Sequence, residues 1–495
     1  MQHPQAGKPN IIHIMADDMG WGDVGCYNPD SRIPTPNMDR VAREGMRFTD
    51  AHSPSAVCTP TRYGVLTGRF CWRSHLRSNV LYGYEPPLIE PTRRTVARLL
   101  GEAGYHTAAI GKWHLGLGYT PRPGVFFDFN RALPWTNATR EMEELVDFTQ
   151  PIIGGPNALG FDYFFGASGC PTCQPPYGFI ENEHFVDLPS EYHEVPVFTS
   201  RPGMMAPGWQ HKDADPRIAE EAVRYIREQA EADEPFFLYL NSDAPHEPCT
   251  RADVPEFARD QSGAGPRGDL VWLFDWMVGQ VLDVLDETGQ ADNTLVLVTS
   301  DNGALPGDRQ PGGTGMAAYN TYGHRSSADW RGYKAHIWEG GHREPLLARW
   351  PGQVQAGTVS NALVSLVDFM ATCADITDRP LDNLCAEDSV SFLPVLRDPD
   401  ASVRTDLIHH SQTGVFSLRS GDWKAIFETE GSGGWAPPTG TPPEPLAPGQ
   451  LYNMREDPGE TRNLWDERPD VRGELATRLV QYRQAGCTVQ HDAPA

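Results

Sequence analysis

The chain has 495 residues, a formal net charge of -25, 39% hydrophobic residues and nine cysteines. So negative a chain repels a phosphate backbone, which excludes nonspecific nucleic-acid binding and requires a local basic pocket for any anionic substrate. With no run of about twenty apolar residues, no membrane span is predicted. The length exceeds what one core usually spans, and predicts one large domain with a smaller appendage.

Taken in chain order, the start, Met1 to Asn10, is polar and lacks a signal-type apolar core. As it stands the sequence is expected to be cytoplasmic, or periplasmic or secreted if an export signal has been removed. Ile11 to Met15 is a short apolar run ending in Ala16-Asp17-Asp18. Pro36 to Glu44 reads as a helix closed by Gly45, and Thr95 to Ala103 as another closed by Gly104. His106 to Ile110 reads as a strand that stops at Gly111-Lys112-Trp113-His114. Ala214 to Glu231 has helical spacing of Ile218, Ala222, Tyr225 and Ile226, and the strand Phe236 to Leu240 leads into Asp243-Ala244-Pro245-His246. Leu270 to Leu285 is an apolar-faced helix, and Leu295 to Val298 a buried strand ending at Ser300-Asp301-Asn302-Gly303.

This alternation predicts an α/β fold, a mostly parallel central sheet flanked by helices. Four strands deliver Asp, Lys, His and Asn at their carboxyl ends, the edge where open parallel sheets bind ligands. Near residue 390 the texture changes to short alternating runs, Val415 to Leu418 and Trp423 to Phe427, then a Gly/Pro-rich insert, Gly431 to Gly449, and an amphipathic helix, Val471 to Ala485. A catalytic domain over 1–390 and a small C-terminal antiparallel sheet plus helix over 391–495 are expected. Tyr119 to Gly155 and Leu305 to Trp330 read as long irregular loops, which in a compact domain tend to be functional.

Three groups of residues carry chemistry. Cys58-Thr59-Pro60-Thr61-Arg62 is followed by Leu66-Thr67-Gly68-Arg69. Asp17-Asp18 and Asp301-Asn302 make an all-oxygen set suited to a hard cation, Ca²⁺ or Mg²⁺, and poorly suited to Zn²⁺. Arg62, Lys112, His114, His246 and Lys334 form a basic set, and histidine suits proton transfer because its pKa lies near neutrality. Cys170-Pro171-Thr172-Cys173 reads as a redox pair, half a metal site or two unrelated thiols, and without a second such pair the last is favoured. His13, His324 and His336 lie near these segments and are expected to be satisfied structural histidines.

At Cys58 to Arg69 the chain resembles the type I sulfatases of the alkaline-phosphatase superfamily, nearest in feel to arylsulfatase A and the N-acetylgalactosamine-6-sulfatase group. Thr35-Pro36-Asn37-Met38-Asp39, Gly111-Lys112-Trp113-His114 and Leu451-Tyr452-Asn453-Met454 extend the resemblance over most of the chain. It departs at His342-Arg343-Glu344-Pro345, where relatives often carry an aliphatic residue before Arg and Val before Pro.

The resemblance implies an alkaline-phosphatase-like fold, and an arylsulfatase-type sulfuric ester hydrolase acting on a sulfated small molecule or saccharide. It implies that a formylglycine-generating enzyme oxidises Cys58 to an aldehyde, whose hydrate offers one hydroxyl to attack sulfur and a second to expel sulfate. Asp17, Asp18, Asp301 and Asn302 are then the Ca²⁺ ligands, with Mg²⁺ a possible substitute. Arg62 pairs with the metal-site carboxylates, Lys112 bridges the hydrate and sulfate, and His114 is the base for sulfate elimination. His246, helped by Lys334, is the acid at the leaving oxygen, and Ser168 matches a serine that touches sulfate. The alternatives are a phosphonate monoester or phosphodiester hydrolase of the same superfamily, and an inactive sulfate- or glycan-binding protein whose Cys58 stays unmodified.

Overall fold

The Asn10–Ala16 strand is buried along its whole length, so its sequence is apolar without alternation, as befits a strand covered on both faces. It pairs in parallel with Phe236–Asn241 on one side and Thr294–Ser300 on the other, Ile12 lying opposite Leu238 and Val296. His106–Lys112 extends the sheet in parallel beyond Phe236–Asn241, and Tyr163–Ala167 beyond that. The computed structural model describes residues 8–125, 140–194, 200–305, 321–382, 385–427, 431–434 and 448–491. Among them the main sheet has ten strands, the Leu346–Arg349 strand joining it antiparallel beside Thr294–Ser300.

Strand alternation divides the helices into two layers. Ile12, Ile14 and Ala16 face the helices Pro36–Glu44, Ala214–Gln229 and Gly265–Glu287, while Ile11 and Met15 face Cys58–Thr67, Val96–Glu102 and Phe369–Thr377. Fully burying each of the Val, Leu, Ile or Phe side chains in these layers contributes about 1.5–3 kcal/mol. The expected elements shift only at their ends. The Leu270 helix begins a turn earlier, at Gly265, with a proline in its first turn. The His106 strand continues to Lys112, and the last helix begins at Pro469.

Strand ends bring the charged residues to one edge. Asp17, Lys112, Ser242 and Asp301 stand at or just beyond the carboxyl ends of four adjacent parallel strands. Gly111 is required there: its φ is +105°, and a Cβ would stand 1.8 Å from the Asn241 carbonyl oxygen of the neighbouring strand.

The C-terminal part forms an antiparallel sheet of Asp406–His410, Phe416–Ser420, Trp423–Phe427 and Gly449–Asn453. The helix Pro469–Ala485 packs on it through Leu475 and Leu479. Residues 126–139 of the first expected loop, 306–320 of the second and 435–447 of the Gly/Pro-rich insert lie outside the described residues. Among the described residues no helix is long and apolar enough to cross a membrane.

Lys424 of the small sheet is fully buried and donates to Glu339 at 2.9 Å and Glu460 at 2.8 Å. Removing one partner from a buried ion network leaves the others uncompensated. Lys424→Met is therefore expected to cost about 3–5 kcal/mol, read as a lower urea midpoint at unchanged m-value.

Candidate active site

Cys58 is the first residue of the helix Cys58–Thr67, all ten of whose residues are buried. The helix ends at Gly68, whose φ of +64° supplies a left-handed cap. Its start sets the Cys58 Sγ 3.6 Å from Asp17 Oδ1. One turn on, Arg62 is fully buried and donates to Asp301 Oδ2 at 2.8 Å and to Asp17 Oδ2 at 3.1 Å. One guanidinium thus ties the Cys58 helix to the ends of two strands.

Lys112 meets Asp17 Oδ2 directly and lies 3.7 Å from Asp243 Oδ1. Lys334 reaches Asp18 Oδ2 at 2.7 Å. His246 Nε2 lies 3.7 Å from the same oxygen, and its Nδ1 donates to the Glu247 carbonyl at 2.8 Å. His114 donates from Nε2 to the Leu81 carbonyl at 2.7 Å, which leaves Nδ1 as the acceptor nitrogen. Asn302 donates to Asp18 Oδ1 at 2.7 Å, and the Asp18 amide donates to Asp301 Oδ1 at 3.2 Å. All of these side chains are buried.

Nine of the eleven residues singled out in the sequence are therefore drawn together by side-chain contacts, and the His114 ring joins them through Cys170, whose Sγ lies 3.9 Å from His114 Nδ1 and 3.8 Å from His246 Nε2. Ser168 is tied in through its backbone, its carbonyl accepting from the His114 amide at 3.0 Å. Asp18 and His114 adopt left-handed backbone, φ +68° and +56°. That conformation costs a residue with a Cβ about 1 kcal/mol or more, and such strain gathers at functional sites.

The charges condition one another. Burial works to raise the Asp17 carboxyl, but Lys112, His246, Arg62 and Lys334 outweigh it and hold it well below the usual range. Burial, then Asp17, raises Asp301 to about 6 against the pull of Arg62. Burial, then Lys112 and Arg62, keeps His114 well below the ordinary imidazole range, so its ring is neutral. Burial opposes charge on His246, yet Cys170 and Asp18 contribute to raising it well above its ordinary value. The two imidazoles are thus pushed in opposite directions. Burial and then Asp17 push the Cys58 thiol up to about 12.

The residues fit a hard cation. The oxygens of Asp17, Asp18 and Asp301 are anionic and converge with Asn302, whose Oδ1 is buried with no hydrogen-bond partner among the described residues. An amide oxygen left bare beside carboxylates suits an oxygen-coordinated ion.

Several supporting residues gave no signal in the sequence. Thr59 accepts from the Leu81 amide at 3.1 Å and donates to the His114 carbonyl at 3.0 Å, clamping the loop that carries His114. Arg267 binds Asp23 at 2.7 Å and donates to the Asp18 carbonyl at 2.9 Å, while His324 holds Asp23 at 2.7 Å. His324 thus serves the scaffold, as expected. His13 packs against Phe369 and Tyr239, its pKa lowered to about 3 by burial, and His336 packs edge-on to Trp338. At the departure from the family pattern, Glu344 is buried, its carboxyl raised well above the usual range by burial and then by Asp301 and Asp18.

The family model described as Sulfatase matches residues 9–379. The chain is 32% identical to the N-acetylgalactosamine-6-O-sulfatase of Bacteroides thetaiotaomicron, over 96% of this chain and 93% of that protein. It is 33% identical to human arylsulfatase A, over 93% of this chain and 84% of that protein. A chain solved in work on the metabolism of multiple glycosaminoglycans by Bacteroides thetaiotaomicron superposes with a TM-score of 0.79 at 30% identity, covering 96% of this chain and 99% of that one. A sulfatase from Pseudoalteromonas sp. shares the fold, with a TM-score of 0.70 at 24% identity and coverage of 97% and 90%.

Proposed function

The chain belongs to the sulfatase family and is a hydrolase of sulfate esters, and from that premise we propose that it desulfates a sulfated carbohydrate, using Cys58 converted to formylglycine beside a bound Ca²⁺. The observation that carries this reading is the position of the Cys58 Sγ, 3.6 Å from Asp17 Oδ1 at the centre of the buried carboxylates and cations. That sulfur marks where the hydroxyls of the aldehyde hydrate stand after a formylglycine-generating enzyme has acted. The hydrate supplies a nucleophile together with a second hydroxyl that allows sulfate to leave without water attacking a diester. When bound by Asp17, Asp18, Asp301 and Asn302, Ca²⁺ supplies a Lewis acid that stabilises negative charge on the sulfate oxygens, and Mg²⁺ fits the same oxygen set.

The protein's own groups do the rest. Lys112 and Lys334 place two ammonium charges beside the position of the sulfate, offsetting charge that grows toward the leaving oxygen. Arg62 fixes the turn that presents residue 58. His246 gives a proton to the leaving oxygen, and His114, through Nδ1, takes one from the second hydroxyl. Ser168 lies beside His114 and contacts sulfate in this reading. The similar N-acetylgalactosamine-6-O-sulfatase supports an amino-sugar sulfate as the substrate. Residues 1–390 act as the catalytic domain and 391–495 as a small subdomain at its flank.

Turnover of matched aryl sulfate and aryl phosphonate esters tests the choice of reaction. Sulfate is expected to be much the faster, and faster phosphonate turnover would replace this reading with phosphonate hydrolysis. No turnover of either, with Cys58 unmodified, would leave a sulfate- or glycan-binding protein. Metal removal is a separate prediction. Dialysis against a calcium chelator is expected to abolish turnover, and restored Ca²⁺ to recover it. Ca²⁺ at about 100 times its Kd should stabilise the fold by roughly 3 kcal/mol, seen as a rise in Tm that Asn302→Ala diminishes.

A further inference from the structure

Outside the oxygen ligands of the hard-cation set, the active site holds a second group with the chemistry of a different metal. Cys170 and Cys173 bracket a tight turn in which the Cys173 and Gln174 amides both donate to the Cys170 carbonyl, at 3.2 and 2.9 Å. Their sulfurs flank the His246 ring, Cys170 Sγ standing 3.8 Å from Nε2 and Cys173 Sγ 3.8 Å from Nδ1. One ligand atom from each of the three residues lies within 4.8 Å of the others, and all three side chains are buried. Opposite them, the acceptor nitrogen of His114, Nδ1, lies 3.9 Å from the Cys170 Sγ.

We propose that Cys170, Cys173 and His246 form a soft-metal site that takes Zn²⁺, with His114 as the fourth ligand, and that zinc bound there withdraws both histidines from catalysis. Sulfur and imidazole ligands select zinc over Ca²⁺, just as the neighbouring oxygens select the reverse. Tetrahedral Zn–S and Zn–N bonds of about 2.3 and 2.0 Å place ligand atoms roughly 3.6 Å apart, close to the 3.8 and 3.9 Å at which Cys170 Sγ stands from His246 Nε2 and His114 Nδ1.

The turn is fastened to the segment that carries His246. Thr172 donates to Asp243 Oδ2 at 2.6 Å and to the Glu247 carbonyl at 3.1 Å, and Ser200 donates to the Thr172 carbonyl at 2.7 Å. The His246 Nδ1–H on the Glu247 carbonyl aims Nε2 inward, the arrangement that orients metal-bound histidines. Binding releases the thiol protons to solvent, each sulfur coordinating as thiolate, with no change of oxidation state.

Only the inhibitory consequence rests on the proposed acid and base roles of His246 and His114; the site itself does not. The test titrates Co²⁺, then Zn²⁺, into calcium-saturated enzyme, beside the Cys170→Ser/Cys173→Ser double variant. The wild type is expected to show a thiolate-to-cobalt charge-transfer band and the intense visible bands of a tetrahedral ion, saturating at one equivalent and bleached by Zn²⁺. Turnover should fall with the same saturation by about 100-fold. The double variant, its fold checked by circular dichroism and a urea titration, should lack the bands, and whatever turnover it has should resist zinc. The single variant Cys173→Ser, which keeps one sulfur, should bind more weakly and need more zinc for the same inhibition. Absence of the bands in the wild type, or equal zinc inhibition of wild type and double variant, would overturn the site. Because the spectrum does not depend on turnover, the bands remain observable even if the enzyme proves not to cleave sulfate esters.

Discussion

Cys58→Ala is expected to reduce kcat on a sulfate ester by on the order of 10⁴-fold or more while leaving the fold intact. The loss is large because in the proposed mechanism no other group replaces the nucleophile, Lys112, Lys334, His114 and His246 being assigned there to charge and protons. The stability cost is small. Cys58 contributes one buried sulfur at the start of a helix held by Arg62, so its removal costs about 1 kcal/mol of cavity and contact energy. Circular dichroism and a urea titration read the fold, and single-turnover assays read the chemistry. Activity near that of the wild type would end the formylglycine mechanism, because a backbone-identical site without the convertible residue would then suffice.

The second large effect falls on His246. Its Nε2 lies 3.7 Å from Asp18 Oδ2, the oxygen that Lys334 also holds, and in the proposed mechanism it faces the leaving oxygen as the S–O bond breaks. His246→Ala is expected to lower kcat/KM by about 10²–10⁴-fold on a sugar sulfate, whose alkoxide leaves poorly without a proton. On an aryl sulfate with an acidic phenol the loss should shrink to roughly tenfold, because that leaving group needs little assistance. A series of aryl sulfates of graded phenol acidity reads this directly: the dependence on leaving-group acidity should steepen in the variant. A uniform loss across the series would show that His246 binds rather than protonates.

The site was legible to the extent that it lay at the ends of strongly apolar runs. Ile11 to Met15 and Leu295 to Val298 announce buried strands, and Asp17-Asp18 and Asp301-Asn302 follow them, so the structure's edge of carboxylates follows from local patterning. The Cys58 helix gave no periodic signal because all ten residues are buried, which removes the polar face that marks a helix in a sequence. The outer strands, such as Met46–Phe48 and Ile180–Glu181, are too short to show a period.

Long-range partnerships were invisible for a different reason. Arg267 holds the Asp18 carbonyl and Asp23 across some 240 positions, and the Cys170 turn meets His246 across 76. Nothing in either segment encodes the other, and only the parallel order of the Phe236–Asn241, His106–Lys112 and Tyr163–Ala167 strands brings the second pair together. The Cys-x-x-Cys segment therefore read as a redox pair, half a metal site or two unrelated thiols, because the histidine its sulfurs meet lies in a distant segment.

The formylglycine mechanism turns on what residue 58 is in working enzyme. Trypsin releases it in the peptide Phe48–Arg62, which holds Cys58 as its sole cysteine. Mass spectrometry of that peptide from active protein is expected to show sulfur replaced by oxygen with the loss of two hydrogens, and a mass shift on reaction with a hydrazide that reports the aldehyde. A peptide found wholly as the thiol, in protein that turns over sulfate esters at full rate, would contradict the account.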